Sequence, residues 1–260
     1  MREVIAIARA IDIIDLLSRA GKPLAVNGVW VPLGIPRVSC YEIISTLASR
    51  GLVRINERGE VELGSRLLAW GGAYAQSTDL AREARTVARK LADQCNETVH
   101  VAILDGGDAL YVVKEEGTSL VRVSTNVGTR MPAHSTGVGK VLLAYLPPAQ
   151  RKKLLQEAPL ARLTPMTMVN PKVLEREFRR VLRDGVSMDR QESTVEVGCV
   201  AAPIRNSDCE VIAAISISML VTRLNYPLHG AAVREAGDEI SARLGWHPDA
   251  AVSPSRGSSD

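Results

Sequence analysis

The sequence predicts an α+β protein with an N-terminal winged helix-turn-helix and a C-terminal domain in which helices flank a largely antiparallel sheet. Within residues 1–66, the apolar spacing changes from helical to alternating, as expected when helices are followed by a β-hairpin. Between residues 96 and 247, short apolar or alternating runs with turn residues between them are interleaved with amphipathic segments. A chain of 260 residues, 46% hydrophobic and 23% charged, is long enough for two modest soluble domains.

Two amphipathic helices joined by a tight turn are predicted at the front of the chain. Apolar residues recur at three- and four-residue steps from Val4 to Ile14, and a second such series runs from Cys40 to Leu47. Gly34 precedes the second helix, which starts after Pro36, and relieves the strain where the two helices meet at a steep angle. This arrangement predicts a helix-turn-helix.

A β-hairpin is predicted next, with strands at Leu52–Ile55 and Val61–Leu63 around the turn residues 56–59. The winged helix-turn-helix has this order of elements, completed here within about sixty residues. The alternative is a helical hairpin whose β-ribbon serves only for dimer packing.

The second helix is the candidate reader of DNA, because major-groove readers place their base contacts in the N-terminal half of such a helix. If the apolar series from Cys40 to Leu47 faces the core, the other side chains face outward. Glu42 repels phosphates unless it accepts a hydrogen bond from a cytosine amino group. Solvated surface charge is the alternative interpretation at each position. The candidate contacts to a double-stranded DNA operator are Arg37, Ser39, Tyr41, Glu42 and Ser45 on this helix and Arg54 and Arg58 in the wing.

Charge alone does not identify DNA as the partner. The formal net charge is +3, and residues 1–78 hold nine Lys or Arg against seven Asp or Glu. A strongly basic domain would have indicated nucleic acid by itself. The prediction of DNA binding therefore depends on the pattern of residues, and a dimeric sensor or interaction protein that does not bind DNA remains the competing class.

The C-terminal part of the chain is predicted to contain linker helices over residues 67–95 and a sensing domain over residues 96–247. A Ser/Pro/Gly-rich tail over residues 248–260 is predicted to be disordered. Ala84, Val87, Ala88 and Leu91 form a narrow apolar stripe, as expected of a linker helix laid against a neighbour. In the sensing domain we predict strands at Val99–Leu104, Leu110–Val113, Leu120–Val123, Val186–Asp189, Cys199–Ile204 and Val211–Ser218, and helices at Thr136–Tyr145, Pro148–Gln156 and Pro227–Leu244, with a long charged helix ending at Asp184.

A candidate anion site lies where Gly137-Val138-Gly139-Lys140 turns into a helix. A phosphate-binding P-loop is excluded, because His134 occupies the position of its first glycine and Val141 that of its final Ser or Thr. The free backbone N–H groups of Gly137 and Val138 could instead receive a small anion. A simple helix cap is the alternative.

Polar residues on predicted apolar strands form a second candidate set: Asp189, Cys199, Ser216 and Ser218. Ser216 and Ser218 are two residues apart, so both point to one face of the sheet. Buried polar groups need partners or a ligand, and hydroxyl and N–H groups suit a small carboxylate. Hydroxyls capped by neighbouring carbonyls are the alternative, and Asp189 could bind a backbone amide or a cation.

Other function classes are not indicated. Ser135 lacks the GxSxG elbow of a hydrolase, and the context of Cys199 is that of a buried strand, so we predict no enzyme. The four cysteines form no CxxC pair, which predicts neither a metal site nor a disulfide framework, and no cofactor is indicated. We find no signal peptide and no apolar run long enough for a membrane span, so we expect a cytoplasmic protein without a membrane partner.

Several blocks, in this order, resemble the IclR family of bacterial transcription regulators over nearly the whole chain. The front half contributes residues 8–14 (ARAIDII), and the Gly34-Ile35-Pro36, Ser45-Thr46-Leu47 and Gly51-Leu52-Val53 segments. The most specific block is residues 128–140 (GTRMPAHSTGVGK), followed by residues 198–204 (GCVAAPI) and 213–218 (AAISIS).

The resemblance implies a GAF-like effector-binding domain and a front domain that dimerises on DNA. It therefore implies a ligand-responsive transcription regulator that senses small organic or aromatic acids from catabolic pathways. It also implies assembly as a homodimer or homotetramer. The family commonly carries Arg where this chain has Glu42, and a more polar helix where it has residues 27–32, which end in Pro32. The effector-contacting positions of the family fall on Gly137, Val138, Asp189, Cys199, Ser216 and Ser218, with apolar pocket positions on Leu120, Val123 and Met131.

Overall fold

The computed structural model describes residues 4–77, 79–119, 125–157 and 160–247. Its internal contacts divide the chain into an N-terminal unit, Met1–Ser77, and a C-terminal unit, Thr78–Asp260. The predicted strand at Leu120–Val123 and the predicted disordered tail lie outside the described residues.

The N-terminal unit is a winged helix-turn-helix, as predicted. Gly21 and Gly34 end its first two helices in the left-handed conformation, with φ of 60° and 61°, which glycine adopts without steric cost. The three strands form an antiparallel sheet in the order β1-β3-β2. The elements are α1 (Ile5–Ala20), β1 (Leu24–Ala25), α2 (Asn27–Leu33), α3 (Arg37–Ser49), β2 (Val53–Ile55), β3 (Glu60–Leu63) and α4 (Arg66–Ser77).

The core of this unit lies where α1, α2 and α3 meet. Cys40, Ile44 and Leu47 of α3 are buried in one cluster with Ile13 of α1 and Val29 of α2. Their spacing is the helical series read from the sequence, so burial of this face determines which side of α3 remains outside.

Pro32 lies near the end of α2, which is only seven residues long. A proline supplies no N–H and clashes with the preceding turn, so a short helix is expected here. Trp30 is half-buried and packs against the core cluster.

The C-terminal unit is an antiparallel sheet of six strands with helices on both faces, which confirms the α+β prediction and is consistent with a GAF-like fold. The strand order is β6-β5-β4-β9-β8-β7. The elements are α5 (Asp79–Cys95), β4 (Thr98–Asp105), β5 (Asp108–Glu115), β6 (Arg130–Pro132), α6 (Gly137–Tyr145), α7 (Pro148–Glu157), α8 (Pro171–Asp184), β7 (Ser187–Arg190), β8 (Val197–Arg205), β9 (Val211–Leu220) and α9 (Tyr226–Arg243).

Alternation along the strands separates two apolar layers. Val99 and Val101 of β4 pack with α5 and α9 on one face, while Ala102 lies on the other face with α6 and α8. Neighbouring β8 follows the same rule, since Val200 belongs to the first layer and Ala201 to the second. The second layer is the one that positions the candidate pocket.

Helix α5 belongs to the C-terminal unit, which differs from our grouping of residues 67–95 as linker helices. Its stripe of Ala84, Val87, Ala88 and Leu91 is buried in the same cluster as Val99. The neighbour against which the stripe packs is therefore the sheet of its own unit. No helix among the described residues combines the length and apolar character needed to cross a bilayer.

Candidate effector pocket and DNA-reading helix

A small cavity lies where the first turn of α6 faces the sheet. Its volume is about 30 Å³, enough for one or two water molecules. No Lys or Arg side chain in the described part of the chain lines it. The lining residues are His100, Tyr111, Thr125, Met131, Thr136, Gly137, Val138, Asp189, Ser193, Thr194, Val197, Cys199 and Ser218.

Strand register brings three of the predicted residues into one row. Asp189 of β7 lies opposite Cys199 of β8, and Cys199 lies opposite Ser218 of β9. Residues directly opposite each other on antiparallel strands point to the same face, so all three reach the cavity. Ser216 occupies the next row, opposite Ala201; it is buried beside Cys199 and does not line the cavity.

The first turn of α6 closes the cavity from above the sheet. The N–H groups of Gly137 and Val138 lie in this turn and have no acceptor within the helix. Thr136 caps the helix, because its Oγ1 accepts a 3.0 Å hydrogen bond from the Gly139 N–H. A Cβ atom on Gly137 would lie 2.7 Å from the Cys199 Sγ atom, so a larger residue here would displace the thiol that lines the cavity.

Asp189 is committed to the loop that follows β7. Its Oδ1 accepts from the Glu192 backbone N–H at 2.6 Å, and its Oδ2 accepts from the Ser193 hydroxyl at 2.6 Å. Of the alternatives raised for this residue, the structure therefore shows bonding to a backbone amide. Burial raises the pKa of the Asp189 carboxyl above its usual value, although these hydrogen bonds oppose the rise.

His100 is a polar group in the cavity that the sequence reasoning missed. Its Nε2 lies 2.6 Å from Thr125 Oγ1, its Nδ1 lies 3.5 Å from Ser218 Oγ, and its ring contacts Tyr111 at 4.8 Å between centroids. Burial, helped by the charge of Lys114, lowers the pKa of His100 from 6.5 to about 3. The imidazole is therefore neutral at physiological pH.

A signal for part of this set was present in the sequence. Thr98, His100 and Ala102 alternate with Val99 and Val101 of β4. This places His100 on the face of the sheet that is covered by α6, opposite the face that is covered by α5 and α9. Met131 does line the cavity, whereas Leu120 and Val123 lie outside the described residues. Ser193 and Thr194 lie in a loop whose position no periodicity could indicate.

Ser135, its neighbour His134 and Cys199 are each held in ways that do not suit hydrolysis. The Ser135 hydroxyl donates to the Pro132 carbonyl at 2.9 Å, and His134 Nε2 contacts the Ala161 carbonyl at 3.0 Å. Burial raises the pKa of the Cys199 thiol to about 12, so it stays protonated and is a poor nucleophile. The part of the chain that the structure describes contains no group of three or more potential metal ligands.

Helix α3 presents a polar stripe to solvent. Arg37, Tyr41 and Ser45 are four residues apart and exposed, and the Arg37 guanidinium lies 5.7 Å from the centre of the Tyr41 ring. Ser39 is half-buried, and Glu42 is exposed beside the stripe. These positions agree with an outward face opposite the buried series of α3.

The wing offers less positive charge for phosphate contacts than its two arginines suggest. The Arg54 guanidinium contacts Glu62 Oε1 at 2.5 Å, so this carboxylate already neutralises it. Arg58 is exposed at the turn, where Asn56 Oδ1 accepts from its backbone N–H at 3.0 Å. The wing therefore has one arginine, Arg58, with no ion pair among the described residues.

Two family models match the chain. The IclR helix-turn-helix domain matches residues 6–57, and the bacterial transcriptional regulator IclR C-terminal domain matches residues 72–242. The chain is 32% identical over 248 residues to the uncharacterised HTH-type transcriptional regulator RhmR of Escherichia coli K12, which spans 94% of this chain and 95% of the relative.

Solved structures share the fold. A putative transcriptional regulator from Rhodococcus sp. RHA1 matches with a TM-score of 0.81 and 28% identity, over 93% of this chain and 98% of that one. An IclR homologue from Microbacterium hydrocarbonoxydans, complexed with 4-hydroxybenzoate, matches with a TM-score of 0.80 and 23% identity, over 92% and 98%. The chain thus belongs to the IclR family of transcription regulators, with a helix-turn-helix domain in front of an effector-binding domain.

Proposed function

We propose that this chain regulates a catabolic operon in response to a small organic or aromatic acid that binds in the cavity beside α6. The cavity supports this proposal because the Ser218 hydroxyl and the N–H groups of Gly137 and Val138, which have no acceptor within α6, meet at this one site. A carboxylate is well received by backbone N–H groups at a helix N-terminus and by hydroxyls. The neutral imidazole of His100 adds a further polar group without adding charge.

The cavity must expand to hold such an acid. About 30 Å³ is well below the 300–1,000 Å³ typical of sites for drug-sized ligands. The IclR homologue bound to 4-hydroxybenzoate makes aromatic acids suitable probes beside smaller ones. We expect binding of the effector to select a more open arrangement of the C-terminal unit.

The regulator acts as a homodimer or homotetramer in this proposal. Val4, which caps α1, and Ile7 and Ile11 on α1 expose an apolar stripe, and Leu68 of α4 is 81% exposed. Exposed apolar side chains grouped on one helix mark an interaction surface. Effector binding would change the spacing of two copies of α3, which must reach half-sites about 34 Å apart on the operator DNA. We place this regulator in the cytoplasm, where it meets both the DNA and the acid.

A gel-shift titration tests the proposal. The DNA is the duplex upstream of the protein's own coding sequence, and the probes are acetate, lactate, benzoate and 4-hydroxybenzoate. We expect retardation that at least one acid changes. Absence of retardation at low salt, with or without acids, would favour the sensor that does not bind DNA.

Ser218→Ala is expected to weaken binding of the responsive acid by roughly tenfold to a hundredfold, because one hydrogen bond to a charged group contributes about 1.5–3 kcal/mol. Folding should persist, since alanine fits the strand. Titration calorimetry measures the affinity. Ser187→Ala is the matched control: Ser187 is buried on β7, does not line the cavity, and its Oγ has no partner among the described residues. Equal affinities of Ser218→Ala and Ser187→Ala would contradict the assignment of Ser218.

Arg37→Ala is expected to weaken DNA binding and to reduce the slope of log affinity against log salt by about one. Arg54→Ala should have the smaller effect, because Glu62 already neutralises Arg54. Filter binding to the upstream duplex and to an unrelated duplex between low and physiological salt measures both slopes. A larger loss for Arg54→Ala than for Arg37→Ala would contradict this interpretation of α3.

A further inference from the structure

A lysine lies fully buried behind the cavity. Lys140 is on α6, its side chain is 0% exposed, and it does not line the cavity. Its Nζ donates to the Met188 carbonyl and to Glu192 Oε1, both at 2.6 Å, and lies 3.4 Å from Glu177 Oε1. The ammonium thus joins helix α6 to strand β7, to the loop after β7 and to α8.

Stability does not explain why such a group is present. Arg180 binds Glu177 at 2.7 Å and lies 3.9 Å from Asp184, so Lys140 and Arg180 are each matched by nearby carboxylates. Burying these charges costs several kcal/mol per ion, and apolar replacement of buried ion pairs is often neutral or stabilising. Glu192 Oε2 also lacks a partner among the described residues, which adds a cost. Since the cluster is not expected to add net stability, its role is better inferred from what it contacts.

The cluster holds one wall of the cavity. Residues 189–194 form this wall, since Asp189, Ser193 and Thr194 line the cavity. Lys140 binds this segment at Met188, before Asp189, and at Glu192, after it. The Glu192 side chain points away from the cavity to Lys140, while its backbone N–H donates to Asp189.

A second set of contacts holds the same loop from the outside. Thr164 Oγ1 donates to the Gln191 carbonyl at 2.6 Å, and Thr167 Oγ1 donates to the Glu192 carbonyl at 2.7 Å. One carboxylate oxygen, the N–H and the carbonyl of Glu192 are therefore all bound. Apart from Thr125, which lies in another loop, the remaining cavity walls come largely from central strands and from α6, so residues 189–194 form a wall whose position depends on side-chain contacts.

We propose that Lys140 and Glu192 are positioning residues of the pocket: their ion pair, outside the cavity, sets the place of the wall 189–194 and thereby the closure of the pocket and its affinity for the effector. The role of the cavity as an effector site rests on the function proposed above. The position of the wall does not, and it can be measured without an effector or DNA.

Cys199 reports on closure, because its thiol lines the cavity and is buried. The full-length protein is treated with S-methyl methanethiosulfonate, and modification of each cysteine is followed by peptide mass spectrometry. We expect Lys140→Met to accelerate modification of Cys199 about tenfold or more, because it leaves Glu192 as a buried carboxylate without its partner. Glu192→Met should accelerate it less and should fold readily, since Lys140 keeps Glu177 and the Met188 carbonyl.

Two internal controls separate local opening from general loosening. Cys95 and Cys209 belong to the same unit, and their modification rates should stay near those of the wild type. Glu175→Gln removes a partner of Arg151, at 3.1 Å, in a pair that does not line the cavity, and should leave Cys199 at the wild-type rate. The proposal is overturned if Cys199 of the folded Glu192→Met variant is modified at the wild-type rate. It is also overturned if the modification rates of Cys95, Cys199 and Cys209 all rise by the same factor. Failure of every acid to bind the wild-type protein would instead reject the proposed function and leave the modification rates unaffected.

Discussion

Gly139→Ala is expected to destabilise the C-terminal unit by about 3 kcal/mol, the upper end of the usual cost of forcing a larger side chain into filled space, because the atoms that it meets belong to the backbone. A Cβ atom on Gly139 would lie 2.2 Å from the Ala133 carbonyl oxygen and 2.4 Å from its Cα. These are backbone atoms of the turn that leads into α6, so they cannot move aside as a flexible side chain would. Relief requires α6 to shift away from Ala133, which would displace Gly137 and Val138 from the cavity.

Gly230→Ala supplies the matched control. Gly230 lies inside α9 of the same unit, and a Cβ atom there would meet nothing within 4 Å. Alanine in a helix interior gains up to about 1 kcal/mol over glycine, because glycine loses more conformational freedom on folding. Scanning calorimetry and urea unfolding should therefore show shifts of opposite sign for the two variants. A stability of Gly139→Ala equal to that of Gly230→Ala would contradict the packing described for α6.

The boundaries of the major elements follow from local signals in the sequence. Gly21, Gly34 and Gly185 each end a helix in the left-handed conformation, as turn residues at these places predict. The strand at 211–218 extends two residues further in the structure, to Leu220. Such signals act within a few residues, so sequence alone contains them.

The partners of each surface could not be read in the same way. Periodicity identified the stripe on α5 but not the sheet that covers it, because a stripe carries no information about what lies opposite. Lys140 belongs to a segment that we examined for phosphate binding, and its partner Glu192 is 52 residues away. The sequence grouped Asp189, Cys199, Ser216 and Ser218 as polar positions on apolar strands, but only the register of β7, β8 and β9 shows that Asp189, Cys199 and Ser218 share one row and that Ser216 lies in the next.

His100 is expected to make the protein lose stability as the pH falls. Its pKa is lowered from 6.5 to about 3 in the folded state, so below pH 6.5 the unfolded chain binds a proton that the folded protein does not. The stabilising effect is complete above pH 6.5 and is lost progressively down to pH 3. Between pH 7.5 and pH 5, this one group should lower the free energy of unfolding by about 2 kcal/mol.

His100→Gln should remove that part of the pH dependence, because glutamine does not titrate and can still bond to Thr125 and Ser218. Urea unfolding of both proteins at pH 7.5 and pH 5 gives the difference, and His247→Gln, which replaces an exposed histidine, is the control. Equal losses for wild type and His100→Gln would show that His100 is protonated without penalty, and hence that it is not buried as described. The expected result also constrains the ligand: a histidine that stays neutral offers an acid only a dipole, so recognition of the carboxylate must rely on the N–H groups of α6 and on Ser218.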